Sequence, residues 1–197
     1  KECTWLKEIN SQSLQVTLKY LDDAYLKFFK GRGNFPKFKS KHSSKQSFQC
    51  PQRVEVDFET GELFLPKFKI GIKTVFHREF QGIIKTVTIS KTPTNKYFAS
   101  ILVDTREELP KKATIKKNTT IGIDLGIKSF IVTSEGQDFN NPKYLKAAEA
   151  KLNYIHRKYS KHKGKRTKHR LAILHEKVAN KRKDFLHKTS TKLIREN

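Results

Sequence analysis

The residue of greatest chemical interest in this sequence is a single aspartate, Asp124, in the stretch TIGIDLGIKSFIVTSEG. It lies in an apolar, strand-like run, with Gly122 and Gly126 on either side. Because side chains alternate along a strand, Asp124 points to one face of a sheet, and Ile123 and Leu125 point to the other. The two glycines leave room for another group to approach the backbone.

A carboxylate on the central strand of a small sheet suits a hard divalent cation such as Mg²⁺. Phosphodiester hydrolysis commonly uses two such ions about 4 Å apart, so further carboxylates would have to come from elsewhere in the fold. A buried, hydrogen-bonded structural aspartate would give the same local pattern. GIDLG is also similar to the first phosphate loop of actin-like ATPases. However, Ile127 and Lys128 follow it here instead of small hydroxyl residues.

The charge of the chain indicates a polyanionic partner. Its 197 residues include 42 Lys or Arg and 19 Asp or Glu, a net charge of +23, which a nucleic acid would neutralise. The segment 143–197 alone holds 18 basic and four acidic residues. An anionic membrane surface is the alternative, but no segment combines a strongly apolar face, a basic face and Trp anchors. We therefore expect no membrane partner.

The two cysteines, Cys3 and Cys50, form no CxxC pair, which argues against a zinc site and favours reduced thiols. The seven histidines show no metal-ligand spacing with acidic residues. The stretch contains no Met and no signal-peptide pattern, so we expect it to be part of a longer protein.

The first half of the chain predicts one helix followed by strands. Apolar residues recur at spacings of three and four over 11–30, with Ser11 or Ser13 as the cap and Gly31 at the end. Residues 47–104 predict five or six short strands of a small barrel, including a hairpin around Thr60-Gly61, a strand in IKTVFHREF and a hairpin in IIKTVTISKTPTNKYFASILVD. The polar segment 105–118 predicts a domain boundary.

Between the helix and the strands lies a linker, GRGNFPKFKSKHSSKQSFQCP, in which aromatic and basic residues alternate. Its phenylalanines can stack on bases while its lysines neutralise phosphates. The alternative is that the phenylalanines pack under the barrel and the lysines are a solvated face. The residues concerned are Phe35, Phe38, Phe48, Lys37, Lys39, Lys41 and Lys45.

The second half predicts a strand pair over 119–134 and two long helices. Asn141 as cap and Pro142 at the first helical position would begin the first helix, and SKHKGKRTK would break it after Tyr159. The second helix would run over 166–196. A short loop between two helices predicts an antiparallel helical hairpin with basic outer faces.

The sequence resembles the TnpB (OrfB) family of insertion-sequence proteins, which are compact RNA-guided DNA nucleases related to type V CRISPR effectors. The resemblance extends along nearly the whole chain. In the first half it is carried by SQSLQVTLKYLDDAYLKFFKG, FPKFKSKHSSKQSFQCP and VTISKTPTNKYFASILV. GIDLGIKSFIVTSEG resembles the first RuvC motif, with Asp124 at the catalytic aspartate position. NPKYL and LHEKVANKRKDFLHKTSTKLIREN resemble the helices that follow.

This resemblance implies an α+β architecture. An N-terminal helix and a wedge-type antiparallel β-barrel would precede a partial ribonuclease H-like (RuvC) domain with a long antiparallel helical hairpin. The implied domains are a helical recognition-type segment (1–34), the wedge-type barrel (35–110) and the first part of the RuvC nuclease (111–197). The implied partners are a guide RNA and double-stranded target DNA, with magnesium or manganese as cofactor. The implied location is the prokaryotic cytoplasm, on the nucleoid.

The stretch also departs from the family pattern. A second RuvC motif with a catalytic Glu, a four-Cys zinc module and a third motif with an Asp normally come later, and the first barrel strand comes earlier. Zinc is therefore expected only in that C-terminal part. Glu135 and Asp138 do not match the family's other carboxylate positions. Asp124 is thus one of the three catalytic carboxylates that the resemblance implies, and the other two are not in this stretch. Whether the stretch is itself an enzyme stays open, and alone it is expected to bind nucleic acid without cutting it.

Two other functions stay open. The chain could be a non-catalytic RNA- and DNA-binding remnant or regulator, or, more remotely, half of an actin-like ATPase. The basic residues predicted to contact nucleic acid, with a merely solvated face as the alternative, are Lys37, Lys39, Lys41, Lys45, Lys165, Arg166, Lys181, Arg182, Lys183 and Lys188.

Overall fold

The chain forms two compact units, Lys1–Leu109 and Pro110–Asn197. Each combines helix with small antiparallel sheets, which confirms the predicted mixture of helices and antiparallel strands. The finer division into three domains stays a prediction, and most of its boundary segment lies outside the described residues. The computed structural model describes residues 3–40, 43, 46–108, 114 and 120–196.

The first unit contains a helix and two three-stranded antiparallel sheets. The sheet orders are β1-β5-β6 and β2-β3-β4, so both predicted hairpins are confirmed as β2–β3 and β5–β6. The elements are a 3-10 helix (Thr4–Glu8), α1 (Ser11–Phe29), β1 (Gln46–Cys50), β2 (Glu55–Asp57), β3 (Glu62–Phe64), β4 (Ile72–Lys73), β5 (Ile83–Lys91) and β6 (Tyr97–Asp104).

Helix α1 confirms the predicted helix but not its predicted cap. The side chain of Asn10 accepts a hydrogen bond from the backbone N–H of Gln12 and caps the helix. Ser13 is instead buried against Cys50 of β1, with 3.7 Å between Oγ and Sγ. The helix ends as predicted, because Gly31 adopts a positive φ of 65° that favours glycine.

The core of the first unit lies between its two sheets. Cys50 of β1 and Val87 of β5 come from one sheet, and Leu63 of β3 comes from the other. Leu65 completes the group, and all four side chains are at most 4% exposed. The alternating residues of the strands thus bury one face of each sheet against the other.

No closed barrel is found among the described residues, so the predicted wedge-type barrel stays a prediction. Within them the six strands form two separate sheets, with no ladder that joins one sheet to the other. The strand predicted in IKTVFHREF is reduced to Ile72–Lys73, which pairs with β3. Val75 beyond it is 97% exposed, so the apolar alternation of this segment does not correspond to a buried face. A barrel would need a longer strand here.

The second unit contains one antiparallel sheet and a helical hairpin. The sheet order is β7-β8-β9, which confirms the predicted strand pair and adds a third strand that the sequence interpretation missed. The elements are β7 (Ile123–Leu125), β8 (Ser129–Thr133), β9 (Asp138–Asn140), α2 (Tyr144–Lys161) and α3 (Lys165–Glu196).

The two helices confirm the predicted hairpin, but α2 begins later than predicted. Asn141 does not cap it. Its amide donates to the carbonyl of Ile127, and its side-chain oxygen accepts from the N–H of Lys143. Lys143, in the left-handed region with φ 45°, is the residue before the helix. Asn141 therefore joins the loop after β7, at Ile127, to Lys143, the residue just before α2.

The apolar stripes of α2 and α3 bury a small number of residues. Leu152 of α2 is 6% exposed, and Val178 and Leu193 of α3 are 8% and 9% exposed. The remaining surface of both helices is mostly polar and basic. Within the described residues, no helix is both long enough and apolar enough to cross a membrane.

Candidate catalytic aspartate and basic surfaces

Asp124 is exposed and lies on β7, an edge strand of the described sheet. The central strand is β8, so the predicted central position of Asp124 is wrong for this sheet. Asp124 pairs with Val132, which is 40% exposed, and these two residues share one face. In the described part of the chain Asp124 has no hydrogen bond or ion pair, so the alternative of a buried structural aspartate is also wrong.

The opposite face of the sheet is supported by α3. Ile131 pairs with Leu125 on one side and with Phe139 on the other, so these three residues share that face. The ammonium of Lys192 in α3 lies 5.2 Å from the centre of the Phe139 ring. Ile131 is 5% exposed. The α3 side chain Lys192 therefore contacts this face at Phe139, whereas Leu125 on the same face is 71% exposed.

An aromatic contact fixes the sheet on the hairpin. The ring of Phe130 in β8 packs edge-to-face on Phe185 of α3, with 5.0 Å between ring centres, and Tyr144 of α2 contacts the same ring at 6.1 Å. The ladder between β8 and β9 is irregular between Ser129 and Ile131, which interrupts the strict alternation of side chains. Phe130, which is partly buried, can therefore contact α3 although its neighbour Ile131 is buried.

The glycines beside Asp124 lie at the two ends of β7, with Gly126 in the turn to β8 and Gly122 before the strand. A Cβ on Gly126 would lie 2.8 Å from the carbonyl oxygen of Ser129, which is too close for any other residue. A Cβ on Gly122 would meet Ser134 at 3.4 Å, an ordinary contact. The backbone N–H of Ser134 donates to the carbonyl of Gly122, and the N–H of Gly122 donates to the hydroxyl of Ser134. The group that approaches the Gly126 backbone is thus the chain itself.

The other carboxylates of this region do not gather around Asp124. Asp138 of β9 pairs with Val132 and accepts a hydrogen bond from the hydroxyl of Ser129 at 2.8 Å. Glu135 lies in the turn after β8 and is exposed. Within the described ranges, no group of three or more His, Cys, Asp or Glu residues could hold a metal ion. Asp124 is therefore an isolated, exposed carboxylate in the described part of the chain.

The predicted basic contacts are exposed wherever the structure describes them. Lys37 and Lys39 lie in irregular backbone after α1, Lys165 and Arg166 open α3, and the other four lie further along α3. Lys41 and Lys45 lie outside the described residues. Three of these residues are consecutive in α3, namely Lys181, Arg182 and Lys183. Consecutive residues of a helix differ by about 100° in direction, so these three cannot all face one strand of nucleic acid.

Lys188 differs from the other predicted contacts because it has an acidic partner. Its ammonium lies 2.8 Å from the carboxylate of Asp184, one helical turn earlier. The hydrogen bond and the charge of Asp184 raise the pKa of Lys188. Among the described predicted contacts, Lys188 thus has an exposed ion pair with Asp184 with which a phosphate would compete.

The aromatic residues of the linker divide into packed and free ones. Phe35 contacts Tyr25 and Phe28 of α1 edge-to-face, with ring centres 5.7 and 5.4 Å apart. Phe38, between Lys37 and Lys39, is fully exposed. The packing alternative therefore applies to Phe35, whereas Phe38 is free to stack on a base.

Comparisons with known proteins identify the family of this chain. Residues 100–197, which include Asp124 and the whole hairpin, match the family model OrfB_IS605, described as "Probable transposase". The chain is also 32% identical over 195 residues to a protein of Escherichia coli (strain K12) named "Putative RNA-guided DNA endonuclease InsQ", with 96% of this chain and 47% of that protein aligned. The chain belongs to the OrfB family.

A second relative of this OrfB-family chain comes from Streptomyces pristinaespiralis. It is named "Putative RNA-guided DNA endonuclease" and is 32% identical over 204 residues, with 100% of this chain and 50% of that protein aligned. The chain thus spans about half the length of the curated relatives it matches. The resemblance predicted from its motifs is confirmed at the level of the family.

Proposed function

We propose that this chain supplies the guide-RNA- and DNA-binding region and the first catalytic carboxylate, Asp124, of a transposon-encoded RNA-guided DNA endonuclease. On this proposal the remaining carboxylates come from residues of the whole protein beyond this stretch. The 197 residues alone bind nucleic acid and do not cut it. The whole enzyme acts with a RuvC-type, magnesium-dependent site.

The observation that carries the proposal is the exposure of Asp124 on an edge strand. The backbone groups of β7 on the side away from β8 are available in the described sheet, so another strand can pair there. Cross-strand neighbours lie about 5 Å apart, so such a strand would bring a second carboxylate beside Asp124. Two relatives named as RNA-guided DNA endonucleases support the same assignment.

The exposed carboxylate of Asp124 suits one ligand position of a Mg²⁺ ion. Magnesium is usually bound through one or two carboxylates, substrate phosphates and water, and an exposed aspartate can be one of these ligands. In the described residues Asp138 is the nearest strand-paired carboxylate on the same face, about 10 Å away between Cα atoms because it is two strands distant. A two-ion site needs carboxylates closer together. Asp124 would hold the metal that lowers the barrier to phosphodiester hydrolysis.

The basic surface would hold the nucleic acid without reading its sequence. Lysine and arginine neutralise phosphates whatever the bases, and in guided nucleases base pairing with the RNA reads the target. Lys37 and Lys39 flank the free ring of Phe38, a suitable arrangement for an unpaired base. The exposed basic residues of α3 suit the backbone of a duplex.

The test uses the isolated 197-residue chain, RNA that copurifies with it from its host, and an RNA–DNA heteroduplex of about 20 base pairs. The proposal predicts tight, salt-sensitive binding of both and no cleavage of labelled DNA in MgCl₂. Specific cleavage that Asp124→Ala abolishes would contradict the claim that this stretch alone cannot cut. Equal affinity for heparin and for the copurified RNA would contradict a guide-RNA role.

A non-catalytic RNA- and DNA-binding module is the second candidate. The separation between Asp124 and Asp138 favours it, because no second carboxylate of the described strands reaches Asp124. The two functions differ in one observation, which is cleavage by the protein made from the whole gene. Cleavage supports the nuclease, and binding without cleavage supports the module.

A further inference from the structure

Two histidines meet across the helical hairpin. His156 of α2 and His175 of α3 place their Nε2 atoms 3.3 Å apart, and their rings are inclined at 74° with 5.4 Å between centres. Both side chains are exposed. Neither residue belongs to the sheet that presents Asp124, and the proposed nuclease chemistry uses neither.

The packing of the hairpin holds the two rings together. His156 lies one turn after the buried Leu152 in α2, and His175 lies three residues before the buried Val178 in α3. Both therefore project from the edge of the stripe along which the helices pack. Their separation is fixed by two helix backbones rather than by a mobile loop.

The distance between the two nitrogens matches a shared tetrahedral ion. Zinc–nitrogen bonds of about 2.0–2.1 Å and a tetrahedral angle place two imidazole nitrogens about 3.3 Å apart. A hydrogen bond between two neutral imidazoles would have a similar length, and it is the alternative arrangement. Imidazole suits Zn²⁺, Ni²⁺ and Cu²⁺, whereas Mg²⁺ prefers oxygen. From this geometry we propose that His156 and His175 form a two-histidine site for a divalent transition metal, with Zn²⁺ as its representative ion.

The surroundings leave the remaining coordination positions open. A shallow depression beside His156 is lined by Asn153, Arg157, Ser160 and Lys161. Within the described residues no third His, Cys, Asp or Glu completes the set. Water or an anion would therefore fill the other positions, and the adjacent Arg157 and Lys161 favour an anion. The site binds an exchangeable ion that clamps α2 to α3, unlike a closed structural zinc site.

The clamp predicts thermal stabilisation by metal of the 197-residue chain. With ZnCl₂ at tenfold its dissociation constant, Tm rises by about 5 °C, since a ligand that binds only the folded state stabilises it by mass action. EDTA reverses the rise, and MgCl₂ does not produce it. Calorimetric titration gives one Zn²⁺ per chain, with weaker binding at lower pH because protons compete for the imidazoles.

The variants His156→Ala and His175→Ala each remove the stabilisation, and the matched control His169→Ala, another exposed histidine of α3, retains it. If an alanine variant loses helix content by circular dichroism, His156→Gln and His175→Gln replace it. A complementary measurement is the shift of the two imidazole ring signals in NMR spectra on addition of Zn²⁺. Wild-type Zn²⁺ affinity in either single variant, or an unchanged Tm with Zn²⁺, would overturn the site.

Discussion

Asp124 and Asp138 occupy opposite edge strands of the β7-β8-β9 sheet, and both pair with Val132 of the central strand. The two carboxylates therefore share a face but lie two strands apart, about 10 Å between Cα atoms. Their environments also differ, because Asp138 accepts a hydrogen bond from Ser129 and Asp124 is exposed without one in the described part of the chain. The pair gives a natural comparison between a proposed metal ligand and a structural aspartate.

The turn after Asp124 predicts a cost for any side chain at Gly126. Gly126→Ala would bring a Cβ to 2.8 Å from the carbonyl of Ser129, so the backbone of the turn must move. We expect a loss of about 2 kcal/mol in the free energy of unfolding. Gly122→Ala is the matched control, since its Cβ would meet Ser134 at 3.4 Å, and we expect a change below about 0.5 kcal/mol. Urea denaturation measures both, and equal effects would contradict the role assigned to Gly126.

The aromatic contact between sheet and hairpin predicts the effect of removing Phe185. Phe185→Ala loses the rings of Phe130 and Tyr144 as partners, and because Phe185 is only half-buried we expect a cost of about 2 kcal/mol. Leu186→Ala, at the neighbouring exposed position, should cost much less. Hydrogen exchange of the β8 amides should quicken in the Phe185 variant alone. Unchanged exchange there would show that the sheet does not depend on this contact.

The exposed basic residues predict a salt-dependent loss of nucleic-acid affinity. Lys165→Ala with Arg166→Ala should weaken RNA binding and lower the slope of log K against log [salt] by about one for each lost phosphate contact. The charge-matched control is Lys69→Ala with Lys73→Ala, two exposed lysines outside the predicted contacts. Fluorescence anisotropy at several salt concentrations measures the slopes. Identical slopes for both variants would mean that net charge alone, rather than these positions, attracts the nucleic acid.

The hairpin turn between β2 and β3 predicts a pH dependence of stability. The side-chain hydrogen bond from Thr60 is the largest cause that lowers the pKa of Asp57 from its usual 3.8, with backbone N–H groups of Thr60 and Glu59 adding to it. A lowered pKa means that the stabilisation is present above pH 3.8 and is lost as the pH falls below it. Asp57→Asn keeps an acceptor and should flatten this part of the profile. Denaturation at pH 6 and pH 3 measures the difference, and parallel profiles would contradict it.

Sequence periodicity predicted the elements that depend on local pattern. α1, the two hairpins of the first unit, the β7–β8 pair and the helical hairpin all follow from spacing and turn residues. The closed barrel did not follow, because sheet closure depends on long-range pairing that a strand such as IKTVFHREF can fail to make. β9 was missed because a three-residue strand carries too little alternation to be recognised.

The sequence predicted which residue is the candidate metal ligand, but it did not predict the strand position or the exposure of that residue. A lone Asp in GIDLG identified Asp124, whereas its edge position and its exposure depend on which strands pair beside it. The contact between His156 and His175 depends on the register of two helices. One signal was present, since each histidine follows a leucine of its own helix by four residues, Leu152 and Leu171.

The most direct measurement of the central claim is cleavage by the protein made from the whole gene, purified with its own RNA. Matched double-stranded DNA is incubated with MgCl₂ and the wild type, Asp124→Ala or Asp138→Ala. We expect Asp124→Ala to slow cleavage by about a thousandfold or more while RNA binding persists, and Asp138→Ala to cut at nearly the wild-type rate. Wild-type cleavage by the Asp124 variant would contradict the assignment of Asp124 as a catalytic metal ligand.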